Sequence, residues 1–518
     1  NYDTRDMPTS GASVALAGLV PPDDAFQVKK LRQAGVIFLG KTNLHELAAG
    51  ITTISSMGAQ TKNPYDPSRN PGGSSGGTAA AVASSFAAVG MGSDTCGSIR
   101  IPAAHNNLVG LRPTKGLSSI DGIIPLSHTQ DTGGPLARTI TDLAIVLDAT
   151  VGYDSADPAT KIVENIELVS FSDSLNPEAL RGARFGVLTN LFGEEPEDAA
   201  VTEVVHKAIG EMERLGALAV KITIPDFDEI IENAGVIGFE FKFDLIDYLT
   251  QSHAPISSLS EILESGLYHD ALEDTFRRRN TPKTRNSAEY RAALTKREEI
   301  RKKIVELLDN HLLDALVYPT IRRKAAKLGE RQFGSNCQLS AYSGLAALSI
   351  QAGFTRDGLP VGIELLGRPF SDNRLVAFGF AFEQGTGYRQ APDLAPSLSE
   401  ISETGPIRFE VVTQEVESNP NLTVNFAFDP TTGVLNFDAH FIGIQAVDIY
   451  AVNLHRSSPN TETGPVVHRL LGPGVTLKSD SIFLENLERD ALRQGRLYLV
   501  AYTKNRPQGG FKKYLNLP

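Results

Sequence analysis

Residues 71–100 read PGGSSGGTAAAVASSFAAVGMGSDTCGSIR, two glycine turns with serine at their cores, joined by an alanine-rich segment. Alanine favours helix, so TAAAVASSFAAV (78–89) is expected to be helical. GGSSGG then sits at a helix N-terminus, where unpaired backbone N–H groups gather. A serine hydroxyl attacks only after a neighbour takes its proton. The oxyanion that follows needs N–H donors, and glycine lets backbone approach closely. The turn TCGS (95–98) offers both: Ser98 as attacker, and the N–H groups of Thr95, Cys96, Gly97 and Ser98 as donors.

Simpler catalytic templates fail. The elbow G-x-S-x-G needs glycine two residues either side of the serine, and Ser98 has none. A phosphate loop ends in G-K-[ST], and Gly76-Gly77-Thr78 lacks the lysine. The run from His45 to Ala49 lacks the second histidine of a zinc site. His105 lies near Ser98 in sequence, but a lone histidine is more often packed than catalytic.

Working outward, DAFQVKKLRQAG (24–35) has helical apolar spacing and ends on a capping glycine, Gly35. VIFLG (36–40) reads as a buried strand, and TITDLAIVLDATV (139–151) as a helix with a Thr/Asp start. DALVYPT (314–320) and GLPVGIELLGR (358–368) read as strands. The middle, about 195–312, is helix-rich, and its run TKREEIRKKIVELLDNHL reads as a solvated helix face. Strands alternating with helices predict an α/β sheet, mostly parallel. Proline, serine and acidic residues dominate 388–406, which is linker chemistry. Beyond it LTVNFAF, VLNFDAHFI, VDIYAVNLH and RLYLVAYT alternate with period two, which predicts an all-β sandwich or small barrel.

The 518 residues are too many for one ordinary core. A net charge of −12 argues against a general nucleic-acid binder and against an anionic membrane surface. No apolar run is long enough to span a bilayer. Two cysteines, Cys96 and Cys337, are too few for a disulfide framework and lack C-x-x-C spacing.

The 72–104 stretch resembles the amidase signature family. GVIFLGKTNLHELAAG (35–50), NLVGLRPTKGLSS (107–119) and DTGGPLARTITDLAIVLDA (131–149) resemble the flanking segments. GLAALSIQAGFTRDGLPVGIELLGR (344–368) resembles the C-terminal part. The resemblance implies an amidase domain over 1–392, with a central mixed β-sheet flanked by helices. A linker (393–405) and a C-terminal all-β sandwich-like domain (406–518) follow. It implies an amide hydrolase working through a Ser–cisSer–Lys triad. Ser98 would be the nucleophile and Ser74 the relay on a cis Gly73–Ser74 bond. Thr95, Cys96 and Gly97 would supply oxyanion N–H groups, with Asp94 and Arg100 fixing the loop. Cys96 stands where the family more often has glycine. It reads as a variation whose side chain narrows the oxyanion site, not as a second nucleophile. The family's lysine falls two residues before Asn1, so the expectation is a truncated N-terminus and a 1–518 chain inactive for want of its base. Lys41 and Lys115 are expected to be supporting residues. The resemblance implies no cofactor or metal, a small-molecule amide as substrate, no nucleic acid, and room for a homo-oligomer.

The tail resembles a chordin-type (CHRD) domain through VDIYAVNLHRSSPNTETGPVVHRLLGPG and LERDALRQGRLYLVAYTKNRPQGGFKKYL. The family's His-rich strand is reduced here to His455, with Asn453 in place of a partner. This resemblance implies an exported protein. Two other functions stay open: a catalytically inactive binding or surface protein on the same scaffold, and the glutaminase subunit of an aminoacyl-tRNA amidotransferase.

Overall fold

The computed structural model describes residues 1–392, 406–415, 418–430, 433–458, 463–484 and 486–518; the expected linker, 393–405, lies outside the described residues. The larger part is built on one eight-stranded sheet. Its strands are β1 (Val89–Asp94), β2 (Val109–Arg112), β3 (Thr132–Ala137), β4 (Arg184–Leu188), β5 (Leu218–Ile222), β6 (Ala315–Pro319), β7 (Ala347–Phe354) and β8 (Pro360–Leu366). Their spatial order is β1-β3-β2-β7-β8-β6-β4-β5. Helices that frame the sheet include α1 (Phe26–Gln33), α2 (Gly76–Ala83), α3 (Arg100–His105), α4 (Ile140–Thr150), α5 (Ala199–Arg214), α6 (Ile237–Gln251), α7 (Ala288–Asn310), α8 (Gln338–Ser343) and α9 (Asp372–Thr386).

The sheet is mixed, which corrects the mostly parallel expectation. Only β4 pairs in parallel, with β5 and β6; the other neighbours are antiparallel. The reason is loop length. β7 and β8 are joined by the short turn 355–359, and a parallel pair needs a longer crossover. Central strands are buried along almost their whole length: Leu348, Ile350, Leu316, Val317, Ile363 and Leu365 are core residues. Each such side chain stabilises the fold by about 1.5–3 kcal/mol relative to exposure.

Several local expectations hold. α1 stops before Gly35, which has φ +86. Thr139 caps α4 by accepting from the Asp142 N–H. α7 carries the charged run and still buries a stripe, Ala293, Arg297, Ile300, Ile304 and Leu308. Two expectations fail. α2 ends at Ala83, not 89, because Ser84 caps it and Ser85 turns to φ +63. Residues 36–40 form no strand: Ile37 and Leu39 are exposed, and no described strand pairs with them. An apolar run becomes a strand only where a neighbour takes its backbone hydrogen bonds.

The C-terminal part is a β-sandwich, as the alternation predicts. One sheet orders β9 (Ile407–Glu415), β10 (Ser418–Phe428), β11 (Val434–Ile442) and β14 (Leu477–Phe483). The other orders β13 (Val466–Leu471), β12 (Ile449–Arg456), β15 (Leu497–Thr503) and β16 (Arg506–Tyr514). The inner faces share Val424, Phe426, Phe437, Phe441, Leu454 and Leu499. The outer face of the second sheet packs on the larger part: Tyr498, Val500 and Tyr502 share one core with Leu16, Leu47, Tyr268 and Phe276. The Val466 N–H donates to Tyr268 O at 2.9 Å, and Arg456 reaches the Asp270 carboxylate at 2.9 Å. His455 is a core residue, its ring between Gly464 O and the Tyr502 hydroxyl.

Candidate active site

β1 runs into a tight turn, 95–99, and then into α3. Ser98 lies on this turn, buried except for 4% of its surface. The second serine turn, 71–75, leads into α2, and Ser74 is wholly buried. The Gly73–Ser74 peptide is cis. The two turns meet: the Ser75 N–H donates to Ser98 O at 3.2 Å.

The 94–99 turn is organised by Asp94. Its Oδ1 accepts from the Gly97 N–H at 2.7 Å, and its Oδ2 from the Ile99 N–H at 3.2 Å. Arg100 bonds both carboxylate oxygens, and Arg112 Nη1 reaches Oδ1 at 3.1 Å. Arg100 also reaches Glu364 Oε1 at 2.5 Å, and the Tyr318 hydroxyl donates to the same oxygen at 2.9 Å. All these charged groups are wholly buried. Burial alone would raise the Asp94 carboxyl; Arg100 and Arg112 outweigh it and hold the group well below the usual carboxylate range. For Glu364 burial wins over Arg100, and its carboxyl is pushed up.

One sequence expectation needs correction here. The Gly97 N–H is committed to Asp94, so it is not a free oxyanion donor. The N–H groups of Thr95, Cys96 and Ser98 make no backbone hydrogen bond among the described residues. Thr95 is fixed from its side chain, which donates to Asp131 Oδ1, and through its carbonyl, which accepts from Gln130 Nε2 at 3.2 Å. Cys96 is corrected as well. It forms a disulfide with Cys337, so its side chain turns toward α8 and carries no thiol.

The 71–75 turn is held by neutral groups. The His45 N–H donates to Ser74 O at 2.9 Å. The Thr53 hydroxyl donates to Gly72 O at 2.6 Å and accepts from the Gly76 N–H at 3.1 Å. Asn106 Nδ2 donates to Pro71 O at 2.7 Å. The Ser74 hydroxyl itself has no hydrogen-bond partner among the described residues.

Neither candidate lysine serves it. Lys41 bonds the Thr9 hydroxyl, and burial lowers its pKa to about 8. Lys115 is lowered by burial too, and donates to His128 O and Asp131 O at 2.7 and 2.8 Å. His105 sits on α3 with Nε2 at 3.3 Å from Arg323 O, and burial lowers its pKa to about 4. It is a packed residue, as expected. A 590 Å³ cavity beside the site is lined by Asn1, Phe38, Lys41, Ser75, Thr78 and Met91, but reaches neither Ser74 nor Ser98.

Among the described residues, His128, Glu240 and Asp244 lie close enough together to hold a cation. Glu240 already accepts from the hydroxyls of Ser127, Thr129 and Tyr290, and Asp244 from His128 and Arg285. This donor set is that of a hydrogen-bonded anchor. Sequence reasoning missed Arg112, Glu364, Gln130, Asp131 and Cys337. For Arg112 and Glu364 a signal was present: each is a charge inside an apolar strand run, and a charge buried there must be paired.

The amidase family matches residues 1–376. A glutamyl-tRNA(Gln) amidotransferase subunit of Rippkaea orientalis is 34% identical over 415 residues, covering 76% of this chain and 84% of that protein. The subunit of the same name from Moorella thermoacetica is 35% identical, covering 76% and 83%. Among solved structures, the native peptide amidase from Stenotrophomonas maltophilia superimposes with a TM-score of 0.70 at 35% identity, covering 76% of this chain and 82% of that one. The chain belongs to the amidase family.

Proposed function

We propose that this amidase-family chain hydrolyses a carbon–nitrogen bond through an acyl-enzyme on Ser98, with Ser74 as the proton relay. The observation that carries the reading is the Ser74 hydroxyl. It is fully buried, lacks a hydrogen-bond partner among the described residues, and sits on a turn bonded to that of Ser98. A buried hydroxyl without a partner is costly, about 1–3 kcal/mol, and marks a group with work to do.

In this mechanism a neutral lysine takes the Ser74 proton while Ser74 takes that of Ser98. Ser98 Oγ attacks the amide carbonyl carbon. The carbonyl oxygen becomes an oxyanion facing the N–H groups of Thr95, Cys96 and Ser98. Collapse breaks the carbon–nitrogen bond, and the amine leaves with a proton returned through Ser74. Water then attacks the acyl-enzyme by the same relay and releases the acid. The base of this reading is the lysine that the family resemblance implies. Asn1 is itself close to the site, with Nδ2 donating to Ser93 Oγ at 2.8 Å.

A second reading shares the chemistry. The relatives named as amidotransferase subunits favour the side-chain amide of glutamine as substrate. The net charge of −12 opposes a tRNA-bound assembly, and release of ammonia from glutamine discriminates the two. The inactive-scaffold reading is opposed by retention of both serines. The 406–518 sandwich is read as a chordin-type module and the protein as exported. A disulfide beside the nucleophile supports that, since such bonds persist in oxidising compartments.

The test is a fluorophosphonate probe on the chain extended upstream, with the 1–518 chain alongside and the label located by peptide mass spectrometry. Labelling of Ser98 only in the extended chain is expected. Two folded chains that both stay unlabelled would return the protein to a binding role.

A further inference from the structure

We propose that the Cys96–Cys337 disulfide is a redox site that holds the nucleophile turn in register, and that a dithiol which opens it slows hydrolysis at Ser98. The proposal rests on the amidase reading for its effect on rate, and on geometry alone for its effect on the turn.

Each residue of the turn has an anchor. Gly97 and Ile99 are fixed by the Asp94 carboxylate, Thr95 by Asp131 and Gln130, and Ser98 by the Ser75 N–H. Cys96 makes no backbone hydrogen bond among the described residues, so the bond to Cys337 is its anchor. Its N–H is one of the groups free to face an oxyanion, and a donor misplaced by an ångström loses much of its value. The far end of the tether is firm. Cys337 leads into α8, and Asn336 Nδ2 beside it donates to Leu191 O and Pro319 O, both at 2.8 Å. Arg297 Nη2 ties α8 to α7 through Ala341 O at 3.0 Å. The two halves also touch closely: a Cβ on Gly97 would stand 2.8 Å from the Cys337 Cβ. When the tether opens, Cys96 is therefore the residue that is released, and its N–H the donor that loses its aim.

The step balances with a dithiol as reductant. One of its thiolates attacks a sulfur of the disulfide, and a mixed disulfide forms as the other cysteine leaves as a thiolate and takes a proton. The second thiol of the reductant displaces the first cysteine. Two electrons and two protons pass to Cys96 and Cys337, and the dithiol becomes its own cyclic disulfide. Cys337 is buried and Cys96 partly exposed, so the attack enters from the Cys96 side.

The experiment uses the upstream-extended chain purified without reductant, the same protein treated with dithiothreitol, and a Cys337→Ala variant. Differential alkylation with peptide mass spectrometry first counts thiols: none before reduction and two after are expected. Steady-state kinetics and hydrogen exchange over residues 94–99 follow. Reduction should lower kcat about tenfold or more, up to the roughly 10²–10³ that outright loss of one oxyanion donor costs, with KM changed far less. It should speed exchange at 95–98, reoxidation should reverse both, and Cys337→Ala should behave as the reduced protein and ignore reductant. Two free thiols in the untreated protein overturn the proposal. So do equal kcat and equal exchange in the oxidised and fully reduced states. Absence of turnover in every state, with exchange still faster on reduction, overturns the hydrolase reading and leaves the clamp standing.

Discussion

Around Ser98 one carboxylate, two guanidinium groups and a disulfide do the holding; around Ser74 the same task falls to close-packed glycines and neutral hydrogen bonds. In the proposed mechanism the first turn faces a developing charge, and its donors must keep their aim against it. A buried ionic frame suits that, because its members are already paired and need not reorganise. In the same proposal the second turn passes a proton through a hydroxyl, and a strong fixed charge beside it would bias the proton to one side. Shape holds it instead. At Gly77 a Cβ would stand 2.1 Å from Asn43 O, and at Gly73 2.8 Å from the Ile51 carbonyl carbon. The difference teaches that two serines of one signature can be fixed by unrelated physics.

The largest test of this contrast replaces the serines themselves. In the extended chain Ser98→Ala should lower kcat by about 10⁴ or more, since members of such a unit fail together. Ser74→Ala should approach the same loss with both variants folded, and a Ser74→Ala enzyme near full rate would break the comparison. Next comes Asp94→Asn, which leaves Arg100 with Glu364 as its ion-pair partner and takes from Arg112 the carboxylate it pairs with. A loss of about 3–5 kcal/mol in urea unfolding is expected, as for other broken buried pairs. Gly77→Ala acts on the other turn by overpacking, and about 1–3 kcal/mol is expected with salt dependence unchanged. A larger cost than that of Asp94→Asn would reverse the ranking of charge over shape.

The smallest effect is a pH dependence. His105, on the Ser98 side, is lowered by burial to about 4, and His45, on the Ser74 side, to about 3. Below the unfolded value of about 6.5 the unfolded chain binds protons that the folded chain refuses. The stability these groups contribute is therefore complete above about 6.5, and falls as pH drops toward the folded values. By pH 6 each should cost about 1 kcal/mol. A His105→Gln variant should flatten its share of the slope in urea titrations at several pH values. An unchanged slope would show that His105 takes up a proton in the folded protein.

How much of this was legible in the residues follows from range. The Ser98 turn, the caps of α1 and α4, the strands within 314–320 and 358–368, and the sandwich all rest on short-range pattern, and all appear. The edge segment 36–40 reads as a strand because Val36, Ile37 and Leu39 are apolar. Whether it pairs depends on a neighbour that local pattern cannot supply. Strand direction escaped for the same reason, since alternation of elements leaves open which neighbours lie side by side. Cys96 and Cys337 are 241 residues apart, and nothing in either local context announces the other. Arg112 and Glu364 were visible as charges in apolar strands; their shared service to Arg100 and Asp94 became visible only when β2 and β8 flanked β7.

The pairing of Cys96 with Cys337 closes the polypeptide into a covalent ring, from which residues 1–95 and residues 338–518 hang as two tails. A protease that nicks the ring once, in an exposed connection such as 280–286, does not release a fragment. It leaves a two-chain protein. One chain keeps Ser74 and Ser98, the other keeps Glu364 and the sandwich, and the sulfur bond at the Ser98 turn keeps the halves together.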